Sequence, residues 1–129
     1  MDDMKNLADV LQSSPGTQDW RDAVNALGMD RLVHLLENDV NLIVRCQAAA
    51  GLGYLRDKRA GPSLVNALKH SDWGVRNNAA KALGLLGDTA AIPALRTASM
   101  DSDGTVAMSA ARAIDEIDKR AAASDSATA

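Results

Sequence analysis

Chemistry needs reactive side chains at workable spacings, and this chain offers few: His34, His70, Cys46 and the arginines Arg45 and Arg76. A nucleophile beside a base, a pair of tuned carboxylates or metal-ligand spacing would mark an active site. Neither histidine belongs to a His-x-x-x-His or His-Glu arrangement. A reactive thiol at Cys46 would need an electropositive setting that only Arg45 supplies, so a partly buried, inert cysteine is the better reading. Gly51, Gly53, Gly84 and Gly87 lie within or at the end of helical patterns with no strand before them, so they do not form a phosphate-binding loop. The expectation from these residues is no catalytic constellation, no metal, no cofactor and a protein that is not an enzyme.

The elements that would position such residues are helical. Apolar residues make up 47% of the 129, aromatics only 2%, and Phe is absent, so the core must be built from Leu, Val, Ile and Ala. Ala and Leu are strong helix formers, whereas strands favour the β-branched and aromatic types. The length suits one domain. A net charge of −3 lacks the clustered basic face that a nucleic-acid backbone needs. The single Cys46 excludes an intrachain disulfide framework. Met1 to Lys5 lacks the basic and apolar regions of a signal peptide, and no apolar run reaches the length of a membrane span. A cytoplasmic protein without membrane contact is expected.

A repeat organises the helices. Val44, Val75 and Val106 open related segments at a step of 31 residues. Ala48, Ala49, Leu52 and Leu55 correspond to Ala79, Ala80, Leu83 and Leu86, then to Ala110, Ala111, Ile114 and Ile117. That spacing is one face of a helix. The helix ends near Arg56-Asp57 in one unit and Gly87-Asp88 in the next, where Gly suits a left-handed cap and Asp can cap the next helix. A second helix starts near Ala60 or Ala91 with Pro62 or Pro93 in its first turn, where a missing N–H costs nothing. A helix-turn-helix unit cannot bury its apolar face alone, so units must stack into an α-solenoid.

The pattern Val75-Arg76, Ala79-Ala80, Ala82-Leu83-Gly84, Leu86-Gly87-Asp88, Ala91, Pro93, Leu95 and Asp103 resembles the HEAT-like repeat of the phycobilisome lyase family. The resemblance covers residues 44–118 and implies an all-α superhelix of three to four repeats that serves as a binding scaffold. Some HEAT-repeat proteins hold iron through His-Glu pairs; this sequence has no His-Glu dipeptide, so that role is not carried over. The resemblance also implies a rival reading, a subunit of a bilin lyase or another cofactor-attachment factor.

The chain divides into a cap helix (1–16), an irregular repeat (17–43), two regular repeats (44–74 and 75–105) and a C-terminal cap helix (106–119). These form one domain over 1–119, and 120–129 is expected to be a flexible tail. In the third copy Gly84 becomes Asp115 and Leu85 becomes Glu116, so the last helix turns polar where another repeat would pack. That polarity argues against open-ended self-stacking. In the opening third, Met4, Leu7, Ala8 and Leu11 predict one amphipathic helix, and Trp20, Ala23, Val24 and Leu27 a second. Leu32, Leu35 and Leu36 predict a third after Gly28.

A partner protein would meet the second helices, taken to line the concave side. Side chains there not committed to the core are His34, Ser63, Asn66, Lys69, Arg96, Thr97 and Met100. Arg45 and Arg76 read as rungs of a structural ladder between repeats, with Asp72 one turn before Arg76, rather than as an anion site. Trp73 lies in an inter-repeat turn and reads chiefly as packing on the neighbouring repeat, but joins the candidate contacts because Trp is enriched in binding hot spots. The predicted function is a non-enzymatic scaffold or adaptor for an unidentified partner protein, with self-association left open and nucleic acid and membrane excluded.

Overall fold

A computed structural model describes residues 3–128, with side-chain surroundings for residues 7–124; Met1, Asp2 and Ala129 lie outside it. The helices are α1 (Asp3–Ser13), α2 (Gln18–Asn38), α3 (Leu42–Leu55), α4 (Gly61–Ala67), α5 (Trp73–Leu86), α6 (Ile92–Ala98) and α7 (Gly104–Thr128). Single 3-10 turns, Lys58–Ala60 and Thr89–Ala91, precede α4 and α6. Among the described residues no strand occurs, and no helix is long and apolar enough to cross a membrane.

Local signals explain the boundaries. Thr17, Asn41 and Asp72 cap α2, α3 and α5 through side-chain oxygens that accept first-turn N–H groups. The Asp103 carboxylate accepts from Thr105 and Val106 at the start of α7. Asp57 and Asp88 cap the two 3-10 turns, and Pro62 and Pro93 sit in the opening turns of α4 and α6. Arg56 and Gly87 end α3 and α5 in the left-handed region, at φ 56° and 72°. Gly28, at φ 77°, breaks α2 into the two helices that the apolar spacing predicts.

Packing follows the repeat. α3 lies between α2 and α5, and α5 between α3 and α7, while α4 and α6 pack on α5 and α7. Ala48, Ala49, Leu52, Leu64, Ala79, Ala80, Leu83, Leu95, Ala110 and Ile117 belong to one apolar core that begins at Leu11. Burial of such a face is what stabilises short helices that propensity alone would leave marginal. Trp20 is buried, donates from Nε1 to Gln47 Oε1 at 3.1 Å and meets the Tyr54 ring edge-on.

Two features at the C-terminal end differ from expectation. Ala111 is exposed although its counterparts Ala49 and Ala80 are buried, because among the described residues no element packs on that side of α7. The helix expected to stop near residue 119 continues to Thr128. Its Ala121-Ala122-Ala123 run favours helix. Arg120 also anchors it, donating to the Gly84 and Leu85 carbonyls at the end of α5, at 3.1 and 2.7 Å. Those belong to the last-turn carbonyls, which lack intrahelical donors.

Candidate functional site

The second helices present most of the expected contact residues. His34, Asn66, Lys69, Arg96 and Thr97 are exposed on the second half of α2, on α4 and its following turn, and on α6. Met100 is 84% exposed just beyond α6, unusually open for an apolar side chain. His34 is engaged locally: the Asn38 amide donates to its carbonyl at 3.0 Å. Ser63 Oγ donates to Glu37 Oε2 at 3.2 Å, linking α4 to the end of α2.

A groove of about 310 Å³ gathers Ser63, Asn66 and Lys69 with Glu37, Arg45 and His70. His34, Trp73, Arg96, Thr97 and Met100 are not part of it. Sequence reasoning weighs His70 only for catalysis and metal binding and assigns Arg45 to a ladder. Exposed apolar side chains also escape it: Val40, Leu42 and Ile43 lie open at the entry to α3. Trp73, at the start of α5, is 52% exposed. Trp73 therefore leans on its neighbouring repeat less than expected.

The arginine ladder exists once, with a different partner from the one its spacing suggests. Asp72 caps α5, whereas Arg76 forks onto Asp101 in the next turn, Nε–Oδ2 2.9 Å and Nη2–Oδ1 3.2 Å. Arg76 Nη1 also donates to the His70 and Ser71 carbonyls. The pair is largely shielded, with side chains 16% and 13% exposed. The Arg76 hydrogen bond, then the Asp103 N–H, hold the Asp101 carboxyl below its ordinary 3.8.

Polar contacts join the first helices, one part-buried and one buried. Asn78 donates to the Cys46 carbonyl at 2.8 Å, and Ser109 Oγ to Asn77 Oδ1 at 2.5 Å. Burial, and secondarily the Asp72 carboxylate, push the Cys46 thiol above its ordinary 9.0. A raised value keeps the sulfur protonated and weakly nucleophilic. Among the described residues no group of three or more His, Cys, Asp or Glu is placed to hold a metal ion.

Paired helices stacked at a fixed step, sharing one elongated core, define an α-solenoid. A model of HEAT repeats matches residues 29–115, and the chain belongs to the HEAT-repeat family. No curated protein matches it. Human deoxyhypusine hydroxylase, solved in complex with glycerol, superposes with a TM-score of 0.70 at 26% identity, covering 92% of this chain and 44% of that one. The complex of CpcE and CpcF of phycocyanin lyase from Nostoc sp. PCC7120 gives 0.51 at 23% identity, covering 88% and 64%. The resemblance to HEAT-like repeats of phycobilisome lyases thus holds for the fold. This chain spans less than two thirds of either structure.

One expectation is corrected by these relatives. The sequence leads to the expectation of a protein that is not an enzyme, yet the chain shares its fold, at 26% identity, with a hydroxylase. Stacked repeats bring together side chains that are far apart in sequence, so a search for short motifs does not exclude catalysis.

Proposed function

We propose that this chain is a HEAT-repeat scaffold of the cytoplasm that docks a partner protein on the face built by its second helices. The contacts proposed are His34, Ser63, Asn66, Lys69, Arg96, Thr97 and Met100, with Trp73 at the adjoining edge. The observation that carries this reading is the set of exposed polar side chains on successive second helices, Asn66, Lys69 and Arg96 among them, together with the exposed Met100 and Trp73. A few apolar anchors within a polar surround is how protein interfaces concentrate their binding energy. One repeat domain with caps at both ends, also a proposal, would supply the rigid base.

A second reading is favoured by the likeness to the CpcE and CpcF complex: the partner is another subunit of a cofactor-attachment assembly. Both readings place a protein on the same face.

The test is affinity capture from source cells with wild type beside a variant carrying Asn66→Ala, Lys69→Ala, Arg96→Ala and Thr97→Ala, matched for helicity by circular dichroism. A protein recovered by the first and lost by the second is expected. Equal recovery by both would move the docking site to the Trp73 edge.

A further inference from the structure

The turns before α3, α5 and α7 share one device. Asp39 Oδ1 accepts the Asn41 N–H at 2.8 Å, His70 Nδ1 the Asp72 N–H at 3.0 Å, and Asp101 Oδ1 the Asp103 N–H at 2.8 Å. Each pins a turn through an acceptor two residues back. Asp101 does more, because its carboxylate also receives the fork of Arg76. One repeat earlier, Arg45 stands where Arg76 stands and His70 where Asp101 stands. An imidazole can pin the turn, but it brings no carboxylate.

Arg45 is consequently underused. Its Nε donates to the Asp39 carbonyl, and among the described residues no carboxylate pairs with it. A guanidinium carries five N–H donors in a planar fork. The half-buried Arg45 lines the groove of about 310 Å³, and Lys69, Asn66 and His70 add further donors. Glu37 is the one acid on the lining, and its Oε2 takes the Ser63 hydroxyl. Two permanent cations against one carboxylate leave room for a single negative charge and oppose a dianion such as phosphate.

We propose that this groove binds a carboxylate supplied from outside, an Asp or Glu side chain of a docked partner, seated on Lys69 and on the Arg45 guanidinium N–H groups that the Asp39 carbonyl leaves free. The carboxylate site stands on the geometry above; only its carrier, a partner protein, rests on the docking reading.

The measurement is a titration of the Arg45 Nε–H resonance by nuclear magnetic resonance, with Arg76 as internal control. The probes are sodium acetate, inorganic phosphate, and blocked Gly-Asp-Gly, Gly-Glu-Gly and Gly-Asn-Gly peptides, against sodium chloride at equal ionic strength. Arg45 should shift saturably with acetate and with the Asp and Glu peptides, but not with the Asn peptide or chloride, while Arg76 stays still. His70→Asp restores the internal carboxylate, so it should weaken the acetate response about tenfold or more and raise Tm by about 2–4 °C. If that variant does not fold, Arg45→Gln at matched helicity must lose the saturable shift that acetate and the Asp and Glu peptides are expected to cause in the Asn66 side-chain amide on the same lining.

Absence of a saturable shift, an unchanged Arg45 response in His70→Asp, an unchanged Asn66 amide response in Arg45→Gln, or tighter binding of phosphate than acetate overturns the proposal. Binding of a free peptide C-terminus but not of the Asp and Glu peptides overturns the side-chain assignment. A silent Arg45 alongside a partner captured by wild type and lost by the four-residue variant sinks the groove and leaves docking intact. A responsive Arg45 with no partner captured does the reverse.

Discussion

Asp101 does two jobs, pinning the turn before α7 and receiving Arg76 from the first turns of α5. Asp101→Asn keeps an acceptor for the Asp103 N–H and discards the charge. At neutral pH this variant should lose about 1–2 kcal/mol of unfolding free energy, the range of a shielded, charge-assisted hydrogen-bonded pair. Because the native carboxyl is held below its ordinary 3.8, the folded state binds its proton later than the unfolded state as pH falls. The stabilisation is therefore fully present above about pH 5 and is lost as pH drops through 3.8 and then the lower native value. Urea unfolding at pH 7, 5 and 3 should show the gap between wild type and Asp101→Asn intact at the first two and closing at the third. A gap of equal size at pH 3 would remove charge from the explanation.

Among the elements, the first helices approach one another through glycines. A Cβ on Gly53 would lie 2.9 Å from the Ala82 Cα and 3.0 Å from its Cβ. Gly84 repeats the contact one unit on, with both Ala113 atoms at 3.1 Å. Helix propensity alone would favour Ala at either position by about 1 kcal/mol. Overpacking against a neighbouring backbone costs about 1–3 kcal/mol, since the obstacle is not a flexible side chain. Gly53→Ala should therefore destabilise by up to about 2 kcal/mol net of the propensity gain, and Gly84→Ala by less, because its approach is looser. Equilibrium urea midpoints for the two variants check this ordering. A Gly53→Ala variant more stable than wild type would show that α3 and α5 are not packed backbone to backbone.

At the scale of the molecule, stability in a solenoid is a sum over neighbouring units, and interior units gain two interfaces where terminal ones gain one. α5 has first helices on both sides, α3 and α7, whereas among the described residues α7 packs on one first helix, α5. Ala122, Ala123 and Ser124 are exposed past the Arg120 anchor. Hydrogen exchange followed by mass spectrometry should find the amides of α5 slowest, those of α1 faster, and those of α7 beyond Arg120 fastest. Equal protection along the whole of α7 would mean that an unseen surface covers its end.

What was legible in the sequence was whatever short-range rules decide. The 31-residue step, the Ala and Leu face of each first helix, the prolines opening the second helices and the break at Gly28 all come from helical periodicity and end chemistry within a few residues. Tertiary structure decided what depends on a neighbour. Ala49, Ala80 and Ala111 are the same residue at the same repeat position, yet the first two are buried and Ala111 is exposed, because burial depends on what packs alongside. Arg120 helps hold α7 to α5 through carbonyls more than thirty residues away. In the candidate site, Ser63, Asn66 and Lys69 could be placed on second helices from the repeat alignment alone. Their meeting with Glu37, Arg45 and His70 could not, because it depends on how the end of α2, the start of α3 and the turn after α4 converge. Arg45 and Arg76 look equivalent in one dimension; in three, Arg76 finds a carboxylate in Asp101 while Arg45 meets a histidine.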